Sequence, residues 1–138
     1  MAFNILVIDD SLTVRAIIEE LLAAQKDMRI VGSAASVPAA RELIGQSVPS
    51  IIILDLAMPG VDGFAFLDEL AGQPHAPVLV VSSQTVAGSR SEAAAIERGA
   101  FACFDKAQLV RQGSRFTELV RQARTSSAVQ ARPNQAAA

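Results

Sequence analysis

The chain has 138 residues, 51% of them apolar, a formal net charge of −2 and a single cysteine. That size predicts one domain able to bury a core, and Lys and Arg are scattered rather than gathered into a basic stripe, which argues against direct nucleic-acid binding. One cysteine excludes an internal disulfide, and the chain has neither a secretion signal nor a run of about 18 apolar residues, so a cytoplasmic location without membrane insertion is expected.

Short apolar runs alternate with helix-like stretches, the pattern of βα units around a parallel sheet. Ile5–Ile8 opens the series. Helix 1 follows over roughly 12–25, with Val14, Ile17, Ile18, Leu21 and Leu22 at helical spacing. A weaker run near Met28–Val31 reads as an edge strand. Helix 2 is expected over 37–46, with Ser36 as N-cap and Pro38 in the first turn. Ile51–Leu54 is the next buried strand, then helix 3 over 63–71, with Phe64, Leu67 and Leu70 on one face and Gly72 as the stop.

Val78–Val81 forms the fourth run. Helix 4, over 89–98, presents little beyond Ala93, Ala94, Ala95 and Ile96, which makes it a candidate moving part. Phe101–Phe104 is the fifth run, and helix 5 over 114–125 carries Phe116, Leu119, Val120 and Ala123 at i, i+3, i+4, i+7 spacing. The strand runs are continuously apolar, as expected when helices cover both faces of the sheet. From Thr125 the period is lost. Residues 1–125 are read as the folded domain and 126–138 as a flexible tail, with no output domain after it.

Each buried run ends in a residue suited to phosphate chemistry. Asp9 and Asp10 follow the first, Asp55 the third, Ser82 closes the fourth, and Lys106 comes just after the fifth. In open α/β sheets ligands bind beyond the carboxyl ends of the strands, where these groups converge. Magnesium (or manganese) prefers oxygen ligands and takes carboxylates together with phosphate oxygens, which fits Asp9, Asp10 and Asp55. Asp55, the most central, is the candidate nucleophile that would form an acyl phosphate. Lys106 supplies a point charge and Ser82 a hydroxyl donor.

These pieces resemble the receiver domain of two-component response regulators. The resemblance rests on Ile8-Asp9-Asp10-Ser11, on Leu54-Asp55-Leu56-Ala57-Met58-Pro59-Gly60-Val61-Asp62-Gly63, on Val80-Val81-Ser82-Ser83, and on Gly99-Ala100 ahead of Lys106. It spans about residues 3–124. It implies a flavodoxin-like (βα)5 three-layer sandwich with strand order 2-1-3-4-5. It also implies phosphorylation of Asp55 by a histidine kinase or phosphotransfer protein, and spontaneous hydrolysis of the acyl phosphate. The domain would act as a protein-binding switch or phosphate carrier through its helix 4–strand 5–helix 5 face, with no catalysis beyond its own phosphorylation and dephosphorylation. Homodimerisation is left open, as are the cognate kinase, the target and the subfamily.

Two positions depart from the family pattern. Cys103 stands where an aromatic residue usually couples to the Ser/Thr hydroxyl, with Phe101 or Phe104 as candidate substitutes in the readout. Ala107 stands where proline often follows the lysine, so a trans bond is expected. The resemblance also implies that Ala57 and Gln84, each two residues after a site residue, flank the path of the attacking water; Ala57 cannot orient it, which leaves Gln84 as the candidate.

Taken singly, several of these residues have plainer readings. Acids favour a helix N-terminus, a strand-end serine bonds locally, and most lysines are solvated. Arg15 reads as an exposed helix charge, Cys103 as a small core residue and His75 as a turn residue at the opposite end of the sheet. Two rival functions stay open. One is a pseudo-receiver that never takes phosphate. The other is a magnesium-dependent phosphatase, against which Ala57 and the lack of a cap insertion both count.

Overall fold

The computed structural model describes residues 3–58 and 61–126. Five parallel strands form the main sheet: β1 (Phe3–Ile8), β2 (Met28–Ala34), β3 (Ile51–Leu54), β4 (Val78–Ser82) and β5 (Ala102–Asp105), in the order β2-β1-β3-β4-β5. This is the flavodoxin-like order 2-1-3-4-5 that the family resemblance implies. The helices are α1 (Leu12–Ala23), α2 (Val37–Ser47), α3 (Gly63–Ala71), α4 (Arg90–Glu97) and α5 (Gly113–Thr125).

The two core clusters explain the layering. Ile5, Val7, Ile51, Ile53, Leu79 and Val81 point to one face and meet Ile18 and Leu22 of α1 and Phe116, Leu119, Val120 and Ala123 of α5. Their neighbours Leu6, Ile8, Ile52, Leu54, Val78 and Val80 point to the other face, against Ala40 of α2, Phe66, Leu67 and Leu70 of α3 and Ala95 of α4. Both faces are covered, so both sets of alternating positions are apolar.

Four helix starts are capped as their sequences allow. Ser11, Ser36 and Ser89 accept from the backbone N–H three residues on, and the Asp62 carboxylate accepts from Phe64 N. β2 runs to Ala34, past the expected end at Val31, because Gly32, Ser33 and Ala34 pair with Leu6, Val7 and Ile8. In α3 the sequence reading missed Phe66, which is buried, while Phe64 is only partly so and lies under the Arg98 guanidinium. α4 buries Ala95 alone, in keeping with its thin apolar face.

Two dipeptides, Ala57–Met58 and Val61–Asp62, pair antiparallel after β3. Gly63, just after this small ladder, packs against the backbone of Leu56, two residues past the end of β3. A Cβ on Gly63 would lie 2.5 Å from Leu56 Cα and 2.8 Å from its carbonyl oxygen, so only glycine fits there. α5 ends at Thr125; the tail expected over 126–138 lies, from 127 on, outside the described residues. Among the described residues no helix is long and apolar enough to cross a membrane.

Candidate functional site

The sheet ladder itself delivers the two buried acids. Asp9, just after β1, donates its N–H to Ala34 O (2.9 Å), and Asp55, just after β3, donates its N–H to Ile8 O (2.9 Å). Both carboxylates are thereby fixed at the carboxyl end of adjacent strands, each side chain only 2% exposed. Asp10, one residue further, is exposed. Asp9, Asp10 and Asp55 can each offer a carboxylate oxygen such that all lie within 4.8 Å of one another. An all-oxygen set of this kind, partly open to water, suits magnesium or manganese better than zinc.

Lys106 opens the single 3₁₀ turn that follows β5, a turn held by Ala107 N–H donating to Asp105 Oδ1 at 3.0 Å. Its Nζ lies 3.0 Å from Asp9 Oδ2 and 3.0 Å from Asp55 Oδ2. The other oxygens are held by the backbone: Asp9 Oδ1 accepts from Ser11 N (2.8 Å) and Asp55 Oδ1 from Ala57 N (3.2 Å). The bond before Ala107 is trans, as expected.

The charges are unequally served. Burial pushes the Asp9 carboxyl above the ordinary aspartate range; the Ser11 N–H and Lys106 oppose this, and the Asp55 charge adds to it. Burial alone would lower the Lys106 ammonium, but its bonds to Asp9 and Asp55 outweigh that and raise it. The two directions agree physically: one cation enjoys two anions, whereas Asp9 shares its cation with a second acid and is itself taken out of water.

Ser82 ends β4 with its side chain fully buried; its Oγ accepts from Gln84 N at 3.3 Å. This is the local bond of the plain reading, made within the strand end next to β3. Ala57 and Gln84 are both exposed. Cys103 and Phe104 point to opposite faces. Cys103 packs with the α3–α4 side, its Sγ 3.9 Å from the Glu92 carbonyl of α4. Burial, with the Glu92 charge second, pushes its thiol up to about 12. Phe104 is buried on the α1–α5 side, edge-on to Phe116 with centroids 5.5 Å apart, and Phe101 packs against the same cluster. Neither ring shares the face of Cys103, because period-two alternation along β5 puts Phe104 on the far side of the sheet, toward α5.

The sequence reading erred on Arg15 and missed Thr85. Arg15 is half-buried rather than an exposed charge, and its Nη1 donates to the Asp9 carbonyl at 2.7 Å, one turn back from α1. Thr85 is buried; its hydroxyl lies 3.0 Å from Ser82 O and 3.3 Å from Phe104 O. Nothing in the residue types marks either one, because all three partners are backbone carbonyls, and that of Phe104 is brought close to Thr85 only by the fold. His75 lies before β4, with Val48, Pro49 and Arg124 around a cleft of about 500 Å³ at the amino end of the sheet.

A family model described as the response regulator receiver domain matches residues 5–121, and the chain belongs to that family. It is a receiver domain of two-component systems. Among curated relatives, a protein-glutamate methylesterase/protein-glutamine glutaminase 2 of Pseudomonas aeruginosa is 42% identical over 100 residues, which is 72% of this chain and 29% of the relative. Its counterpart in Thiobacillus denitrificans is 38% identical over 122 residues, 87% of this chain and 34% of the relative. The chain thus spans roughly a third of the length of these relatives. Among solved structures, the response regulator domain of Thermotoga maritima CheB aligns with a TM-score of 0.84 at 27% identity, covering 91% of this chain and 98% of that one. The structure of the CheA3 P1 domain in complex with CheY6 from R. sphaeroides aligns at 0.73 with 29% identity, over 88% and 95%.

Proposed function

We propose that Asp55 is the phosphoacceptor of this receiver. The observation that carries the reading is the geometry around one cation: Lys106 Nζ bridges Asp9 and Asp55 at 3.0 Å each, and with Asp10 these two offer carboxylate oxygens within 4.8 Å of one another. An Asp55 carboxylate oxygen attacks the phosphorus of a phosphohistidine. The P–N bond breaks as the acyl phosphate forms, and the imidazole leaves with the electron pair. Asp9, Asp10 and Asp55 would hold magnesium, which when bound offsets negative charge on the phosphoryl oxygens. Lys106 turns from the two carboxylates toward the new anion, and the Ser82 hydroxyl becomes a donor to it.

Water later cleaves the acyl phosphate, with exposed Gln84 beside its path. The donor is a histidine kinase or phosphotransfer protein, in keeping with a P1–CheY6 complex among the structural relatives. The target is a protein that reads the α4–β5–α5 face. The hydrolase activity in the names of the curated relatives is not carried by this chain on our reading, because the match covers roughly a third of each and coincides with the receiver family match. Cytoplasmic residence follows from a kinase donor. In the test, beryllofluoride, which mimics an acyl phosphate, is added with magnesium and followed by fluorine NMR. A bound signal with wild type and none with Asp55→Asn is expected; no bound signal with wild type would overturn the proposal.

A further inference from the structure

We propose that Thr85 is a positioning residue that carries the state of the phosphoacceptor site to β5, an inference that rests on Asp55 being that site. The buried polar side chains among the described residues are Asp9, Asp55, Ser82 and Thr85. The first two form the acid pair and Ser82 closes the neighbouring strand. Thr85 stands outside the cluster, 1% exposed. A buried hydroxyl has to be hydrogen-bonded, and this one has a single proton for two carbonyls, Ser82 O at 3.0 Å and Phe104 O at 3.3 Å. One acceptor belongs to the residue that would turn toward a phosphoryl group. The other belongs to the strand that carries Lys106 two residues later.

The proton cannot serve both carbonyls fully, so a small displacement of Ser82 decides how it is shared. Thr85 N–H also donates to Ser82 O (3.3 Å), which makes Ser82–Thr85 a closed turn that moves as a piece. From Phe104 the disturbance has two exits. The Phe104 ring meets Phe116 of α5, and the adjacent Cys103 meets Glu92 of α4. The Cys103 contact to α4 is a weak thiol donor at 3.9 Å, whereas the Thr85 bonds are ordinary hydroxyl bonds, so Thr85 makes the stronger of these side-chain ties and adds to the backbone pairing of Ser82 with Asp105.

The experiment compares wild type, Thr85→Val and Thr85→Ser, each with magnesium and beryllofluoride. Fluorine NMR reports occupancy at Asp55, and amide shifts at residues 101–105 and in α4 report transmission. Thr85→Val should bind beryllofluoride within about threefold of wild type while its amide response falls by about half or more. Thr85→Ser, which keeps the hydroxyl and loses the methyl, should respond like wild type. An undiminished response in Thr85→Val, loss of beryllofluoride binding in that variant, or an equal loss of response in Thr85→Ser would overturn the role. If wild type binds beryllofluoride without any response at 101–105, this inference fails and the phosphoacceptor assignment stands. If wild type does not bind it, both fail. Should Thr85→Val not fold, Thr85→Ala takes its place with the same expectations.

Discussion

Lys106 holds its ammonium 3.0 Å from Asp55 Oδ2 while keeping the same distance to Asp9 Oδ2. One cation shared by two buried carboxylates leaves a net negative charge out of water, which disfavours the folded state and favours any added cation. Asp55→Asn removes the surplus charge while keeping the shape. It should therefore raise stability in EDTA by about 1–2 kcal/mol and raise it less in saturating magnesium. Lys106→Met should do the reverse, losing about 2–3 kcal/mol in EDTA with part restored by magnesium. Urea unfolding with and without magnesium measures both; equal effects under the two conditions would count against a metal at these acids.

Metal binding should weaken on acidification earlier than an ordinary aspartate would dictate. The Asp9 carboxyl is held above its usual range, first by burial. A raised acid binds its proton more tightly when folded, so its contribution to stability is present below the ordinary value and lost as pH rises through the folded one. Magnesium competes with that proton. Its affinity, followed by amide shifts in a titration from about pH 7 to pH 4, should begin to fall above the ordinary aspartate range. Lys106 acts at the other extreme: its pKa is raised, so its contribution is complete below the ordinary lysine value and is lost only as pH climbs through the raised one.

Cys103 should behave as an inert thiol. With its pKa pushed up to about 12, the thiolate is scarce at neutral pH. Alkylation by iodoacetamide should be slower than that of glutathione across the neutral range and accelerate only in strong alkali. Labelling as fast as glutathione at neutral pH would show that the thiol is neither buried nor raised.

Gly63→Ala should be costly despite its mild chemistry. The new methyl would meet the Leu56 backbone at 2.5 Å, and backbone cannot step aside as a side chain can. A loss of about 1–3 kcal/mol is expected, together with weaker magnesium binding, because Leu56 adjoins Asp55. A chemical-denaturation midpoint like that of wild type would contradict the close approach.

Gln84→Ala should alter the rate at which phosphorylated protein decays, since Ala57, the other candidate beside the water path, has no group to orient water. Decay followed by intact mass measures it; an unchanged rate removes Gln84 from the hydrolytic path.

Much of this was written in the sequence because parallel strands buried on both faces need unbroken apolar runs. Ile5–Ile8, Ile51–Leu54 and Val78–Val81 are such runs, and Asp9, Asp55 and Ser82 end them. β2 was harder to delimit, since Gly32 and Ser33 interrupt its apolar character although they pair with β1 as fully as their neighbours. Arg15 and Thr85 could not be found by pattern at all. Their partners are carbonyls of Asp9, Ser82 and Phe104, and a carbonyl leaves no mark on residue type. The facing of Phe104 could have been read from alternation along β5, once Cys103 was set toward α4.

The most direct test of the account is intact-mass spectrometry after incubation with a small phosphodonor such as acetyl phosphate and magnesium. Wild type should gain a single phosphoryl group that is lost again on standing, and Asp55→Asn should gain none. Wild type that stays unmodified, or Asp55→Asn that gains the group equally, would contradict the assignment of Asp55 as the phosphoacceptor.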